Sequence, residues 1–250
     1  MDRPVCTVVI PVYNGERFIA ECLRSVQAQT LRELEILVVD DASGDGTRDR
    51  VLALSREDSR IRLVCNEENL GVAETRNRGV RLAQAEWIAF LDSDDAWLPE
   101  KLERQFSLQR ESGARLLYTG AACVDEEGRG LNRSFTPPAR LSYRELLCGN
   151  EIVCSTVLAE KSLLLAHPMT QSQLHEDYIC WLQILKEIGT ACGLPEELIR
   201  YRFAADSKSR NKWSSARMTW RSYAYVGIPF ARRCLLFLRY AAHGVRRYFL

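Results

Sequence analysis

Apolar positions along the first half of the chain switch repeatedly between two spacings. Val5–Pro11 (VCTVVIP) is a β-branched run of strand length, whereas Phe18, Ile19, Cys22, Leu23 and Val26 within Glu16–Gln29 recur at helical spacing. The alternation continues with a strand at Glu35–Val39, a helix over Thr47–Arg56 and a strand at Ile61–Cys65. A helix over Gly71–Ala85 and a buried strand at Trp87–Leu91 follow. Pro99 stands where a first-turn proline opens a helix, which runs to Gln109 before a strand at Ala114–Ala122. Strands separated by helices of ten or more residues predict βαβ units, hence an α/β domain with a mostly parallel, Rossmann-like sheet between helical layers.

The second half is less periodic. It predicts a loop at Pro137-Pro138, a serine-capped short helix at Ser142–Leu147 and a strand within Asn150–Leu158. An amphipathic helix covers Asp177–Ile188, and Tyr201–Asn211 (YRFAADSKSRN) reads as a loop. The domain reading is a nucleotide-binding half over 1–113, an acceptor half over 114–212 and a helical extension over 213–250.

In open α/β sheets, ligands bind beyond the C-terminal strand ends. Three polar clusters fall there: Pro11–Gly15, Asp40–Gly46 and Asp92–Asp95. Asp92-Ser93-Asp94-Asp95 gathers three carboxylates in four residues at a buried strand's end, an arrangement that a hard cation such as Mg²⁺ or Mn²⁺ would neutralise. The same residues also read as a solvated turn capping the next helix. At Asp40-Asp41 a carboxylate could accept an N–H from a pyrimidine base, or simply shape a turn. Arg76 and Arg78, on the helix after the third strand, could reach a diphosphate or face solvent. Glu176 and Asp177 open a helix, where an acid serves equally as cap or as general base; Trp181, one turn on, is either core or a stacking surface for a sugar ring.

Taken together, Val8–Gly15 (VVIPVYNG), Val38–Gly44 (VVDDASG), Asn69–Gly79 (NLGVAETRNRG), Phe90–Asp95 (FLDSDD) with Trp97, and Glu176–Trp181 (EDYICW) resemble the family 2 glycosyltransferases in order and spacing. That resemblance implies the GT-A fold and an inverting enzyme of bacterial cell-surface glycan type. Such an enzyme uses a nucleotide-sugar donor, UDP-linked in this reading, and a glycan or lipid-linked acceptor. It implies a base pocket at Pro11, Val12 and Tyr13, base recognition by Asp41 with Asp40 beside it, and Arg76 near the nucleotide. Asp94 would reach the ribose and diphosphate region. Asp92, Asp94 and Asp95 would hold Mg²⁺ or Mn²⁺. Asp177 would be the catalytic base with Glu176 adjacent, and Ser207, Lys208 and Ser209 a segment closing over the diphosphate. The processive Q-x-x-R-W signature is missing, which implies one sugar added per encounter. A sugar nucleotidylyltransferase would need a Gly-rich, Arg-containing first loop, whereas Pro11–Arg17 reads PVYNGER. An inactive module serving as a membrane-bound assembly partner is the other alternative, disfavoured by the intact aspartates.

Composition refines this picture in two places. Nine cysteines, odd in number and without a C-x-x-C pair, fit a reducing cytoplasm better than a disulfide framework. The N-terminus shows no signal-peptide pattern, and no apolar run approaches the roughly 20 residues of a membrane span. The net charge of +1 conceals an asymmetry: from Ala216 onward there are seven arginines and no acid, leaving 27 bases against 33 acids before it. On a helical wheel, Arg232, Arg233, Arg239, His243, Arg246 and Arg247 face one side. Leu235, Phe237, Leu238, Ala241, Ala242, Val245, Tyr248 and Phe249 face the other. This pattern predicts peripheral contact with an anionic membrane surface, or a terminal helix packed on the domain. With an acidic body and no nucleic-acid-binding motif, nucleic acid is not an expected partner.

Overall fold

A computed structural model of the chain describes residues 3–170, 173–203 and 212–249, without side-chain detail at 212–214 and 241–249. Its first half follows the predicted alternation: β1 (Cys6–Val12), α1 (Ile19–Gln27), β2 (Leu34–Asp40), α2 (Thr47–Glu57), β3 (Ile61–Cys65), α3 (Val72–Leu82), β4 (Trp87–Phe90), the two-residue β5 (Ala96–Trp97) and α4 (Lys101–Ser112). The second half adds β6 (Leu116–Val124), β7 (Gly130–Phe135), β8 (Arg140–Ser142), α5 (Tyr143–Leu146), β9 (Leu158–Glu160), α6 (Lys161–Ala166), α7 (Glu176–Ile188), β10 (Thr190–Arg202), α8 (Lys212–Tyr225) and α9 (Phe230–Phe249).

One sheet runs in the order β3-β2-β1-β4-β9-β6-β10-β5, with β7 beside β6 and β8 beside β10. β3, β2, β1 and β4 pair in parallel, and β6 pairs in parallel with β10. β9 runs antiparallel between β4 and β6, so β6 and β10 point the same way as β1. The C-terminal ends of these strands therefore share one edge. β1 and β2 are buried at every position, which explains their mostly apolar runs, and the polar pair within them is bonded, Thr7 Oγ1 donating to Glu35 Oε2 (2.7 Å). Two apolar layers cover the sheet: α1, α2 and α4 supply one, and α3, α5, α6 and α7 supply the other. α8 and α9 complete the second layer through Tyr223, Ile228 and Leu236.

The irregular half departs from the sequence pattern where polar side chains take over from periodicity. Asn150–Leu158 is not a strand; it holds a short 3₁₀ turn at Cys154–Thr156, and extended pairing begins at Leu158. Ser155 and Thr156 are fully buried there as hydrogen-bonding groups rather than strand positions. Tyr201 and Arg202 end β10 rather than begin a loop. That 13-residue strand escapes a period-two reading because its pairing with β6 shifts register twice, around Glu197.

Candidate active site

The β1 and β2 ends are knitted together. The Asn14 N–H donates to Ser43 Oγ (2.9 Å), the Gly44 N–H to Asn14 Oδ1 (2.9 Å) and the Gly15 N–H to Thr47 Oγ1 (2.9 Å). Tyr13, just beyond them, is exposed over this edge, while Pro11 and Val12 are buried beneath.

The two adjacent aspartates have different occupations. Asp41 is wholly engaged: its Oδ1 accepts from Asn66 Nδ2 (2.6 Å) and the Leu70 N–H (2.9 Å), and its Oδ2 from the Gly71 N–H (2.9 Å). It therefore organises the loop before α3 with both carboxylate oxygens already accepting, an occupation the sequence reading did not give it. In Asp40, Oδ2 accepts from Arg48 Nε (2.6 Å) and the Ser43 N–H (3.2 Å), while Oδ1 has no partner.

The three carboxylates after β4 divide similarly. Asp95 is buried, its Oδ2 accepting from Ser155 Oγ (2.6 Å) and its Oδ1 from the Arg202 N–H (2.8 Å), so it braces the turn. Burial first, then Asp94 and Asp92, raise its pKa well above the carboxylate range. Asp92 accepts from Arg76 Nη2 (2.6 Å) through Oδ1 and keeps Oδ2 uncommitted. Burial followed by Asp92 pushes the Asp94 pKa up to about 6, against the opposing pull of its own backbone N–H, Arg202 and Arg76. Two carboxylates thus sit together: Asp92, with Oδ2 free of hydrogen bonds among the described residues, and Asp94, its pKa raised by burial and by Asp92. No group of three or more His, Cys, Asp or Glu is placed to hold a metal by itself among the described residues. The donor set is one that Mg²⁺ or Mn²⁺ would share with phosphate oxygens and water.

Asp177 occupies the first turn of α7, half-buried, with Oδ1 accepting from the Tyr178 N–H (2.7 Å). Arg76, bonded to Asp92 on one side and to Glu176 on the other, ties this turn to the aspartate turn; burial raises the Tyr201 pKa, and so, in order, do Asp95, Asp92, Asp94 and Asp177. Carboxylates more than 80 residues apart in sequence act on one group. Trp181 and Arg76 are both engaged within the protein. Trp181 is fully buried, tilted against Phe90 at 6.2 Å between ring centroids, and serves the core rather than a sugar. Arg76 is buried with Nη1 on Glu176 Oε1 (3.1 Å) and Nη2 on Asp92, so protein carboxylates occupy both ends of its guanidinium. Ser207, Lys208 and Ser209 lie outside the described residues.

The sequence profile of glycosyl transferase family 2 matches residues 7–157. The chain belongs to glycosyl transferase family 2. It is 35% identical over 253 residues to WfgD of Escherichia coli, a UDP-Glc:α-D-GlcNAc-diphosphoundecaprenol β-1,3-glucosyltransferase, across 99% of this chain and 96% of that one. TuaG of Bacillus subtilis (strain 168), whose name provisionally makes it a teichuronic acid biosynthesis glycosyltransferase, is 34% identical over 246 residues, 98% of each chain. Among solved structures, S. aureus TarS 1-349 in complex with UDP superposes at TM-score 0.71 with 20% identity, over 96% of this chain and 72% of that one. The mannosyltransferase PcManGT of Pyrobaculum calidifontis, in complex with GDP-Man and Mn²⁺, gives 0.69 with 20% identity, over 97% and 71%. At that identity the superpositions establish the fold, which is GT-A.

In this family 2 glycosyltransferase, Arg202 is the residue that sequence reasoning missed. Its guanidinium donates to the carbonyls of Asp94 (2.8 Å), Asp125 (3.1 Å) and Glu126 (2.9 Å) and to Glu21 Oε2 (2.7 Å), and lies 4.6 Å from the Phe18 ring centroid. It fixes the aspartate turn from the β10 side. Its signal was the arginine closing a strand whose bulges concealed it.

Proposed function

We propose that this glycosyltransferase moves a sugar from a UDP-linked donor to a hydroxyl of a glycan or diphosphoundecaprenol-linked acceptor, inverting the anomeric carbon. The observation that carries the reading is the convergence at one sheet edge of carboxylates with oxygens to spare: Asp92, Asp94 and Asp177. The 35% identity to a UDP-Glc glucosyltransferase along nearly the whole chain supports the donor class.

Pro11, Val12 and Tyr13, with Asp40, take the base, and Asp41 holds the loop beside them. Asp94 and the free oxygen of Asp92 hold Mg²⁺ or Mn²⁺. A cation bound there supplies positive charge against the diphosphate that departs. Asp177 receives the acceptor hydroxyl proton on its free Oδ2. The acceptor oxygen then forms its bond to the anomeric carbon as the bond to the donor phosphate oxygen breaks, the electron pair leaving with UDP. Residues 1–212 form the catalytic unit in this reading. The exposed apolar and basic face of α9 supports a peripheral position on the cytoplasmic side of the plasma membrane, beside an acceptor anchored there.

General-base catalysis contributes about 10²–10⁴-fold. Asp177→Asn is therefore expected to lower kcat by at least 100-fold while leaving the UDP Kd, measured calorimetrically with Mn²⁺, within about threefold of wild type. Near-normal kcat would overturn the base assignment. Absence of any Mn²⁺-dependent UDP heat in the wild-type protein would favour an inactive module.

A further inference from the structure

Two functional poles of the site arise from different parts of the chain. The donor pole is the aspartate turn after β4, and the acceptor pole is the first turn of α7, which carries Asp177. Between them lies Arg76 of α3, buried, with one Nη on each pole: Nη2 to Asp92 at 2.6 Å and Nη1 to Glu176 at 3.1 Å. Burial works against its charge, yet Asp92 and Glu176 together hold its pKa above the ordinary arginine value. The next residue reinforces the tie. Asn77 Nδ2 donates to the Met169 carbonyl (2.7 Å) and its Oδ1 accepts the Met169 N–H (2.9 Å), clamping the segment that leads into α7. Met169 Sδ also lies 4.0 Å from Arg76 Nη1.

A planar guanidinium with two divergent donor edges can set the separation and orientation of two carboxylates at once; an ammonium, a single point, cannot. Bringing the acceptor hydroxyl into line with the donor depends on such a separation, since displacement by about 1 Å can cost 100-fold in rate. We propose that Arg76 is a positioning residue that registers α7 against the donor-side aspartates, anchored on Asp92 and acting through Glu176 on Asp177, without itself touching the donor. This inference rests on the glycosyl-transfer reading of the site and deepens it. It also differs from the expectation that Arg76 contacts the nucleotide, because both ends of the group are already occupied.

The test uses the full chain with Arg76→Lys, Glu176→Gln and the double variant. Arg76→Lys is expected to lower kcat more than about 50-fold while the Kd for UDP with Mn²⁺ stays within about threefold. Amide hydrogen exchange at 177–180 in the ligand-free protein is expected to quicken in the same variant. Glu176→Gln, which keeps a neutral acceptor for Arg76, should lose kcat less, by about fivefold. The double variant should be no worse than Arg76→Lys alone, since both substitutions break one bridge. A loss of UDP affinity proportional to the loss of kcat/KM would overturn the proposal in favour of direct donor contact. Unchanged kcat and unchanged exchange would overturn it outright. Should Arg76→Lys fail to fold, Glu176→Gln decides: wild-type exchange at 177–180 sinks the proposal, and faster exchange with intact UDP binding supports it. Failure of the transfer reading looks different, because wild-type protein would then show neither Mn²⁺-dependent UDP binding nor turnover while the exchange comparison still reports on the bridge.

Discussion

At the scale of single residues, the fold places one charge where no chemistry calls for it. Lys101 is wholly buried at the start of α4, its Nζ without a hydrogen-bond partner and 3.9 Å from the centroid of the Trp97 ring. Burial pushes the pKa of the amine down to about 7. A cation–π contact contributes at most about 2 kcal/mol, whereas desolvating an ion costs several, so desolvation wins. The sign of the consequence follows from proton linkage. In the unfolded chain the amine holds its proton up to about pH 10.4. Between pH 7 and that value unfolding takes up a proton, so this group makes the protein more stable as pH rises; below pH 7 its contribution is flat. Lys101→Met fits the same volume without charge. It is expected to raise Tm at pH 7 and to remove part of the climb in stability between pH 7 and 10, read as the difference between wild type and variant. An identical pH dependence in the two proteins would contradict the assignment.

At the scale of elements, α3 meets the sheet at Gly79. A Cβ built there would come 2.4 Å from Val9 Cγ1 and 3.2 Å from Val9 Cγ2, so the helix lies on β1 at a distance only glycine permits. Alanine gains about 1 kcal/mol in helix propensity, but overpacking a tight contact costs about 1–3 kcal/mol. Gly79→Ala should therefore destabilise by about 1 kcal/mol, seen as a lower urea midpoint with unchanged m-value; a raised midpoint would mean the helix can shift freely. This element also shows what could be read from the chain alone. The strands β1, β2, β4 and β6 and the helices between the strands were legible because each is buried along a mostly apolar run or stripe, and β3 through its Ile61, Leu63 and Val64 although only Ile61 is fully buried. β10 was not, because its bulges break the period, and β9 was displaced because Ser155 and Thr156 interrupt its approach. Within the site, the position of each acid was legible but its occupation was not. Whether Asp41 or Asp40 and whether Asp95 or Asp94 keeps a free oxygen depends on partners 25 to 107 residues away. Arg76 was singled out for its charge, but its two partners lie 16 and 100 residues along the chain.

At the scale of the whole molecule, charge and apolar exposure are segregated together. Residues 1–215 carry a net charge of −6, and the remainder has seven arginines and no acid. α9 is not turned as an isolated helical wheel suggests. Leu236 packs into the core, and Arg233 turns inward, 5.4 Å and 5.6 Å from the Trp220 and Phe230 ring centroids. What faces outward is an apolar strip of Phe230 (66% exposed), Leu235 (51%) and Leu238 (68%), bordered by exposed Arg232 and Arg239. No helix among the described residues is long and apolar enough to cross a membrane, so contact through this face would be interfacial. α8 begins beside the acceptor pole, where Ser215 lies 3.3 Å from His175 Nε2, one residue before α7. A docked α9 would therefore hold Asp177 near the surface that presents a lipid-linked acceptor. Each arginine near an anionic surface contributes about 1 kcal/mol. Arg232→Gln with Arg239→Gln should thus weaken partitioning onto vesicles containing phosphatidylglycerol by roughly 30-fold at low salt. Leu235→Gln with Leu238→Gln should weaken it more, by about 150-fold, each leucine losing about 1.5 kcal/mol of burial. Raising ionic strength should reproduce only the arginine effect, because screening leaves apolar insertion intact. Both double variants should keep wild-type turnover on a water-soluble acceptor analogue while losing it on acceptor embedded in vesicles. Equal binding to neutral and anionic vesicles, or none to either, would show that this face does not dock on lipid and that the acidic body and basic end are segregated for another reason.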